Sequence, residues 1–375
     1  MIYLDYSANT PVDARVFEQF CAVERRCIGN ANSHHQAGSA AKAEIDAATI
    51  KIASLLGVQP AEIIYTSGAS EANNFALKGL ARLSRHAGRH IISTPLEHSS
   101  VSGTLTALQE QGYEIDLLDV KQDGTVDLEH LKDLLRPDTI CVAVTLVDSE
   151  LGVVQPVQEI ATILKASPHC HLHVDATQAV GKIPVSFEGV DTMSLTAHKF
   201  YGLNGIGLLI KRRNLALEPL IHGGESTTIY RSGTPTVALA SSLACALDLA
   251  VIDLPGRVDH VAKLNAELRA ALSTYPLVRI NSPDHAIPHV LNLSVQNVKG
   301  TVFQRELDAK GVCVSVKSAC SSDGLPSRAV FAVSRDRRNA LSSWRISLSH
   351  LTTEDEIKAF LQAFDVCYRE LTAVH

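Results

Sequence analysis

Apolar residues recur at helical spacing over residues 39–56 (Ile45, Ala48, Ile52, Leu55, Leu56), and the run stops at Gly57. This predicts an amphipathic helix closed by a glycine. A short apolar run at 62–66 then reads as a strand, and a helix is expected over 71–83. The alternation continues with a strand at 91–94, a helix at 99–111, a strand at 114–118 and a helix at 128–135. A largely apolar run follows at 140–147, then a helix at 156–165 and strands at 171–174, 193–196 and 206–211. Strands that are continuous apolar runs, separated by helices, predict an α/β domain whose mostly parallel sheet is covered by helices on both faces.

The last third changes character. Helices are expected at 237–254 and 258–272, separated by Pro255-Gly256. Shorter strands follow at 289–295, 312–316 and 344–348, and a helix from 354 to about 372 opens on a capping box of Thr353 and Glu356. This predicts a smaller α+β C-terminal domain. The expected division is a large domain at 15–250 and a small one formed by 1–14 and 251–375.

Composition narrows the function classes. The 375-residue chain is 46% hydrophobic with a net charge of −6, so it lacks the basic balance of a nucleic-acid binder. No stretch approaches the roughly 18 apolar residues of a membrane helix. The N-terminal Met-Ile-Tyr-Leu-Asp-Tyr has no basic region before an apolar one, so no signal peptide and no membrane partner are expected. Eight cysteines lie scattered without a CxxC pair. That argues against a metal site, and reads as reduced, mostly buried thiols of a cytoplasmic protein.

In a sheet of this kind ligands bind beyond the carboxyl ends of the strands, so the residues just after each strand carry the argument. Ser67-Gly68-Ala69-Ser70 stands at a strand-to-helix turn and suits an anion. Glu97-His98 follows the next strand, and the histidine could stack on a ring or shuttle protons. Asp175 ends a strand and suits a cation such as a protonated pyridine nitrogen. Lys199 follows another strand, where a desolvated amine can react with a carbonyl. Each has an ordinary alternative: a helix cap for Ser67, Ser70, Asp175 or Thr177, a hydrogen-bonded structural histidine, a snorkelling surface lysine. Gly202, Gly205 and Gly207 do not form a dinucleotide loop, because the strand follows them. Jointly, the four features match the phosphate, ring face, ring nitrogen and aldehyde of pyridoxal phosphate.

The chain resembles the cysteine desulfurases of the class V aminotransferase group, which are fold-type-I pyridoxal-phosphate enzymes. The resemblance rests on Tyr3-Leu4-Asp5-Tyr6-Ser7-Ala8, Thr66-Ser67-Gly68-Ala69-Ser70-Glu71, Glu97-His98 and His173-Val174-Asp175-Ala176-Thr177-Gln178. It extends through Ala197-His198-Lys199, Arg231-Ser232-Gly233-Thr234, Ser318-Ala319-Cys320-Ser321-Ser322 and Trp344-Arg345-Ile346-Ser347. It implies that Lys199 anchors the cofactor, His98 stacks on its ring, Asp175 holds its nitrogen and Gln178 its phenolic oxygen. Ala69, Ser70, Thr196 and His198 would contact the phosphate, and Thr234 the phosphate of a second subunit, implying a homodimer. Arg345 would bind the carboxylate of L-cysteine. Cys320, in a stretch that reads as an exposed loop, would take the sulfur as a persulfide and pass it to an acceptor protein or small thiol.

Four features depart from the family pattern. Ser149 stands where asparagine usually meets the phenolic oxygen, and a serine needs a water to reach as far. Lys317 replaces a small residue near Cys320, Asn9 replaces a threonine, and the segment 223–230 is unusual. These changes keep two other readings open. One is another reaction on the same cofactor: selenocysteine lysis, β-elimination or transamination. The other is an inactive relic that binds partners.

Overall fold

The structure is a computed structural model that describes residues 1–317 and 325–373. Cys320 therefore lies outside the described residues. The strands are β1 (Ile2–Tyr3), β2 (Ile63–Thr66), β3 (His90–Ser93), β4 (Glu114–Leu117), β5 (Thr139–Thr145) and β6 (His171–Asp175). They continue as β7 (Thr192–Thr196), β8 (Gly207–Lys211), β9 (Val278–Ile280), β10 (Val290–Val295), β11 (Val312–Cys313) and β12 (Ser343–Ser347). The helices are α1 (Ala14–Arg26), α2 (Gln36–Leu56), α3 (Ala69–Leu83), α4 (Ser99–Gln109), α5 (Leu128–Leu134) and α6 (Val157–Leu164). Then come α7 (Val237–Ile252), α8 (Leu254–Leu272), α9 (Gly300–Ala309), α10 (Arg328–Ser334), α11 (Arg337–Ser342) and α12 (Glu354–Thr372).

A seven-stranded sheet runs β2-β8-β7-β6-β5-β3-β4. Only β8 is reversed; it pairs antiparallel with β2 and β7, while the other pairs are parallel. The ends of β2, β3, β5, β6 and β7 (Thr66, Ser93, Thr145, Asp175, Thr196) consequently share one edge. Alternate residues feed two cores, as strand geometry requires. Val142, Val144, Leu208 and Ile210 face one core with residues of α6 and α7. Cys141, Ala143 and Leu209 face the other with Phe75, Leu77 and Leu80 of α3. The expected α/β layering is present.

The C-terminal region has its own core. The antiparallel sheet β12-β10-β9 packs Trp344 and Ile346 against α8, α9 and α12. Trp344 stacks on Phe303 with centroids 5.2 Å apart. The period of two that turns Trp344 and Ile346 inward points Arg345 and Ser347 the other way. The N-terminal segment completes this region. β1 pairs parallel with β11, Asp5 bridges to Ser347, and Ser7 N donates to Ser347 Oγ at 2.9 Å.

Some expectations need correction. The break expected at Pro255-Gly256 is present but falls just before it, where the chain bends by 67° around Asp253; Pro255-Gly256 itself lies in the first turn of α8, where proline's missing N–H costs nothing. The strand expected at 312–316 stops at Cys313, with Ser315 making only an isolated bridge to Arg345. The seven described cysteines are free, but only Cys141, Cys170 and Cys367 are fully buried. No single described helix is long and apolar enough to span a membrane; the apolar α7 is instead buried along much of its length within the protein core.

Candidate cofactor cleft

A cavity of about 340 Å³ opens at the carboxyl edge of the sheet. Ten of the residues picked out in the sequence line it: Ala69, Ser70, His98, Ser149, Asp175, Gln178, Thr196, His198, Lys199 and Arg345. Thr234 does not. It borders a neighbouring groove of about 170 Å³, together with Ser67 and Arg231.

The floor at one end is the start of α3. Gly68 is its N-cap and supplies no side-chain cap, so neither Ser67 nor Ser70 acts as one. The first intrahelical bond reaches Ala72 N, leaving the N–H groups of Ala69, Ser70 and Glu71 for another partner. The Glu71 carboxylate at this end is already engaged: it accepts from Ser67 N at 2.8 Å and pairs with Arg231 at 3.0 Å. Gly207 allows the turn to sit this low. A Cβ there would stand 2.7 Å from Gly68 Cα and 2.6 Å from Leu195 O. This explains that glycine as close packing rather than nucleotide binding.

At the other end Asp175 is buried. Its Oδ1 accepts from Thr177 N at 2.9 Å and its Oδ2 from Asn73 Nδ2 at 2.8 Å. His98 caps α4; its Nδ1 accepts from Ser100 N at 3.1 Å and meets Ser100 Oγ at 2.9 Å. Burial lowers the His98 pKa, which disfavours the charged ring, and it pushes His198 down to about 4.

Lys199 is half-buried, not out in bulk water. Its Nζ donates to Ser7 O at 2.7 Å and Ala8 O at 2.6 Å, so the N-terminal segment aims it. Gln178 Nε2 donates to the same Ser7 O at 2.9 Å, while its Oε1 accepts from Lys182 Nζ at 2.7 Å. Lys182 is a second buried amine; burial, reinforced by Lys199 and Arg345, pushes it down to about 7. Arg345, 1% exposed, donates to Asp5 Oδ1 at 3.0 Å and Ser149 O at 2.7 Å.

The site asks for a polar guest. Among the described residues, Ser7 Oγ, Thr177 Oγ1 and Arg345 Nε are buried without a hydrogen-bond partner, and all three belong to cavity-lining residues. Such orphans are rare in native proteins unless a ligand or water completes them. An anion cradle, a carboxylate, a flanking imidazole and an amine in one cavity fit pyridoxal phosphate. The sequence reading missed Asn73, Ser100, Lys182 and the pairing of Asp5 with Arg345. Asp5 stood inside a motif used for the resemblance, and a buried Asn73 between Ala72 and Phe75 was the other available signal.

Comparison with known proteins agrees with this geometry. The family model Aminotransferase class-V matches residues 2–360. The chain belongs to the class-V aminotransferase family. It is 40% identical to the cysteine desulfurase IscS of Proteus mirabilis over 95% of this chain and 90% of that one. It is 35% identical to the cysteine desulfurase IscS of Dictyoglomus turgidum over 100% and 96%. Among solved structures, a NifS-like protein superposes with a TM-score of 0.92 at 35% identity, covering 99% of each chain. A structure titled SspA in complex with cysteine gives 0.82 at 30% identity, over 94% and 100%.

Proposed function

We propose that this chain is a pyridoxal-phosphate-dependent cysteine desulfurase that converts L-cysteine to L-alanine and holds the sulfur as a persulfide on Cys320. The observation that carries the reading is the convergence of the α3 N-terminus, Asp175, His98 and the Lys199 amine on one cavity. The relatives named cysteine desulfurase favour this reaction over others on the same cofactor.

Bound pyridoxal phosphate supplies an aldehyde for amines and a ring that stores an electron pair. Ala69, Ser70, Thr196 and His198 would hold its phosphate, and Asp175 would accept a hydrogen bond from the protonated ring nitrogen and so keep it charged. His98 covers the ring face. Gln178 faces the phenolic oxygen, with Ser149 reaching it through a water. Lys199 would anchor the cofactor, and its free amine would take the Cα proton of the substrate. Arg345 binds the substrate carboxylate, a task suited to its planar donors. The Cys320 thiolate would attack the sulfur of L-cysteine: the S–S bond forms, the Cβ–S bond breaks, the freed Cβ takes a proton, Lys199 returns one to Cα, and L-alanine leaves. The persulfide then passes to a protein or small-thiol acceptor.

The working unit in this proposal is a homodimer in which Thr234 reaches the partner's phosphate. Its place on a groove outside its own cavity supports that role. Residues 15–250 would carry the cofactor, and 1–14 with 251–375 would carry Arg345 and Cys320. The free thiols among the described cysteines favour the cytoplasm.

The test is to purify the protein with cofactor, add L-cysteine and a reductant, and measure sulfide and alanine. Cys320→Ala should keep the yellow colour and lose sulfide release. Release at the wild-type rate from that variant would replace this reading with an elimination.

A further inference from the structure

Asn73 is not among the cavity-lining residues and is fully buried, yet it bonds one cavity residue, Asp175, directly and the support of another, His98. Its amide nitrogen donates to Asp175 Oδ2 at 2.8 Å and to Ser100 Oγ at 2.9 Å. Its amide oxygen bonds Ser194 Oγ at 2.5 Å and His173 Nε2 at 3.0 Å. A carboxamide has two donors and two acceptor sites, and all four are used. The side chain has one allowed orientation, because the Asp175 carboxylate can only accept and must face the NH₂ group.

The consequences run outward along both arms. Ser100 Oγ accepts from Asn73, so its own hydrogen points to His98 Nδ1, which also accepts from Ser100 N. His98 Nδ1 thus has two donors against it, and the ring proton must sit on Nε2. On the other side, Asn73 Oδ1 can only accept, so His173 must carry its proton on Nε2. His173 Nδ1 then accepts from Thr192 Oγ1 at 2.9 Å. Burial pushes the His173 pKa down to about 4, consistent with a neutral ring between Thr192 and Asn73.

We propose that Asn73 is a positioning residue that locks Asp175 and His98 to one another, fixing the carboxylate opposite the ring nitrogen and the imidazole over the ring face in one tautomer. The inference rests on the cofactor reading given above. The chain thereby builds both contacts to the ring on one rigid unit, anchored to α3, α4, β6 and β7 through Asn73, Ser100, His173 and Ser194. Networks in which every member is satisfied rigidify a site, and one broken member leaves buried groups unpaired.

Two variants test it: Asn73→Asp, which keeps the shape but sets a second carboxyl against Asp175, and Ser100→Ala, which cuts only the arm to His98. Cofactor affinity and the circular dichroism of the visible cofactor band are measured, with thermal unfolding of the cofactor-free protein as a control. Asn73→Asp should weaken cofactor binding about 5- to 100-fold, the loss expected for an unsatisfied buried polar group. It should also change the visible band, while kcat falls and KM for L-cysteine moves little, since Arg345 is untouched. Ser100→Ala should change the visible band with a smaller loss of affinity. If Asn73→Asp does not fold, Ser100→Ala decides. A folded Asn73→Asp, or failing that a Ser100→Ala, with wild-type affinity and an unaltered visible band overturns the proposal. A wild-type protein that takes up no cofactor overturns the underlying functional reading instead, so the two failures are distinguishable.

Discussion

The carboxylate of Asp5 meets the guanidinium of Arg345 at 3.0 Å, across 340 residues of chain. Asp5 Oδ2 also accepts from Ser315 Oγ at 2.7 Å, and Ser315 pairs with Arg345 through the backbone. A guanidinium this deeply buried needs a counter-charge, and Asp5 supplies it while leaving Nε without a protein partner.

Arg345→Lys keeps a charge but loses the planar donors. It should keep the yellow colour and raise KM for L-cysteine by roughly 10- to 150-fold, the equivalent of about 1.5–3 kcal/mol for a charged hydrogen bond. Asp5→Asn should lower stability by about 3 kcal/mol, because it strands a buried charge. Steady-state kinetics and denaturant unfolding check the two outcomes.

Gly207→Ala should weaken cofactor binding without unfolding the sheet. The added methyl meets backbone atoms of Gly68 and Leu195 that cannot swing aside, so the turn before α3 must lift. A fluorescence or absorbance titration of the cofactor-free variant with pyridoxal phosphate reads the loss.

Glu97 is buried, and burial pushes its pKa up to about 8. The folded state therefore holds a proton that the unfolded chain releases above its ordinary pKa of about 4.3. Its contribution to stability is complete below that value and is lost as pH rises towards 8. Asp148, raised to about 7 by burial, acts in the same direction. Glu97→Gln should flatten the fall in stability between about pH 4 and pH 8 incompletely, since Asp148 remains. Melting temperatures across that range check the slope.

Trp344→Ala should destabilise the C-terminal region by about 3–5 kcal/mol, the range for large aromatic truncations. The ring stacks on Phe303 and also packs against Phe360 and Phe364. Because Arg345 lies on the opposite face of β12, the loss should show first in unfolding rather than in the visible cofactor band. Denaturant unfolding followed by far-ultraviolet circular dichroism checks it.

The sheet was legible because its strands are unbroken apolar runs. β2, β6, β7 and β8 fall within a residue or two of their expected limits. α1 gave no comparable signal: Val16 and Val23 are its fully buried residues, and Phe17 is 53% exposed. α9 was missed for a similar reason, with Phe303 and Leu307 its only buried side chains of size. Ser70, His98, Asp175 and Lys199 were legible because they end or follow strands, where a polar residue has no packing reason to be; Ser149, Gln178 and Arg345, the last inside β12, came only from the family resemblance. Asn73 and Lys182 were not, since each sits within a helix or turn and acts through another residue. Nothing local in the sequence says that Lys182 points at Gln178, or that Asp5 meets Arg345 from the far end of the chain.

The proposed chemistry depends on which amine carries the cofactor. Lys182 is a real competitor, being a buried lysine with a pKa pushed down to about 7 beside the same cavity. The protein loaded with pyridoxal phosphate should be reduced with borohydride, digested, and its peptides mapped by mass. The account predicts the label on Lys199, with none on Lys182. A label on Lys182 or on a surface lysine, with Lys199 unmodified, would contradict it.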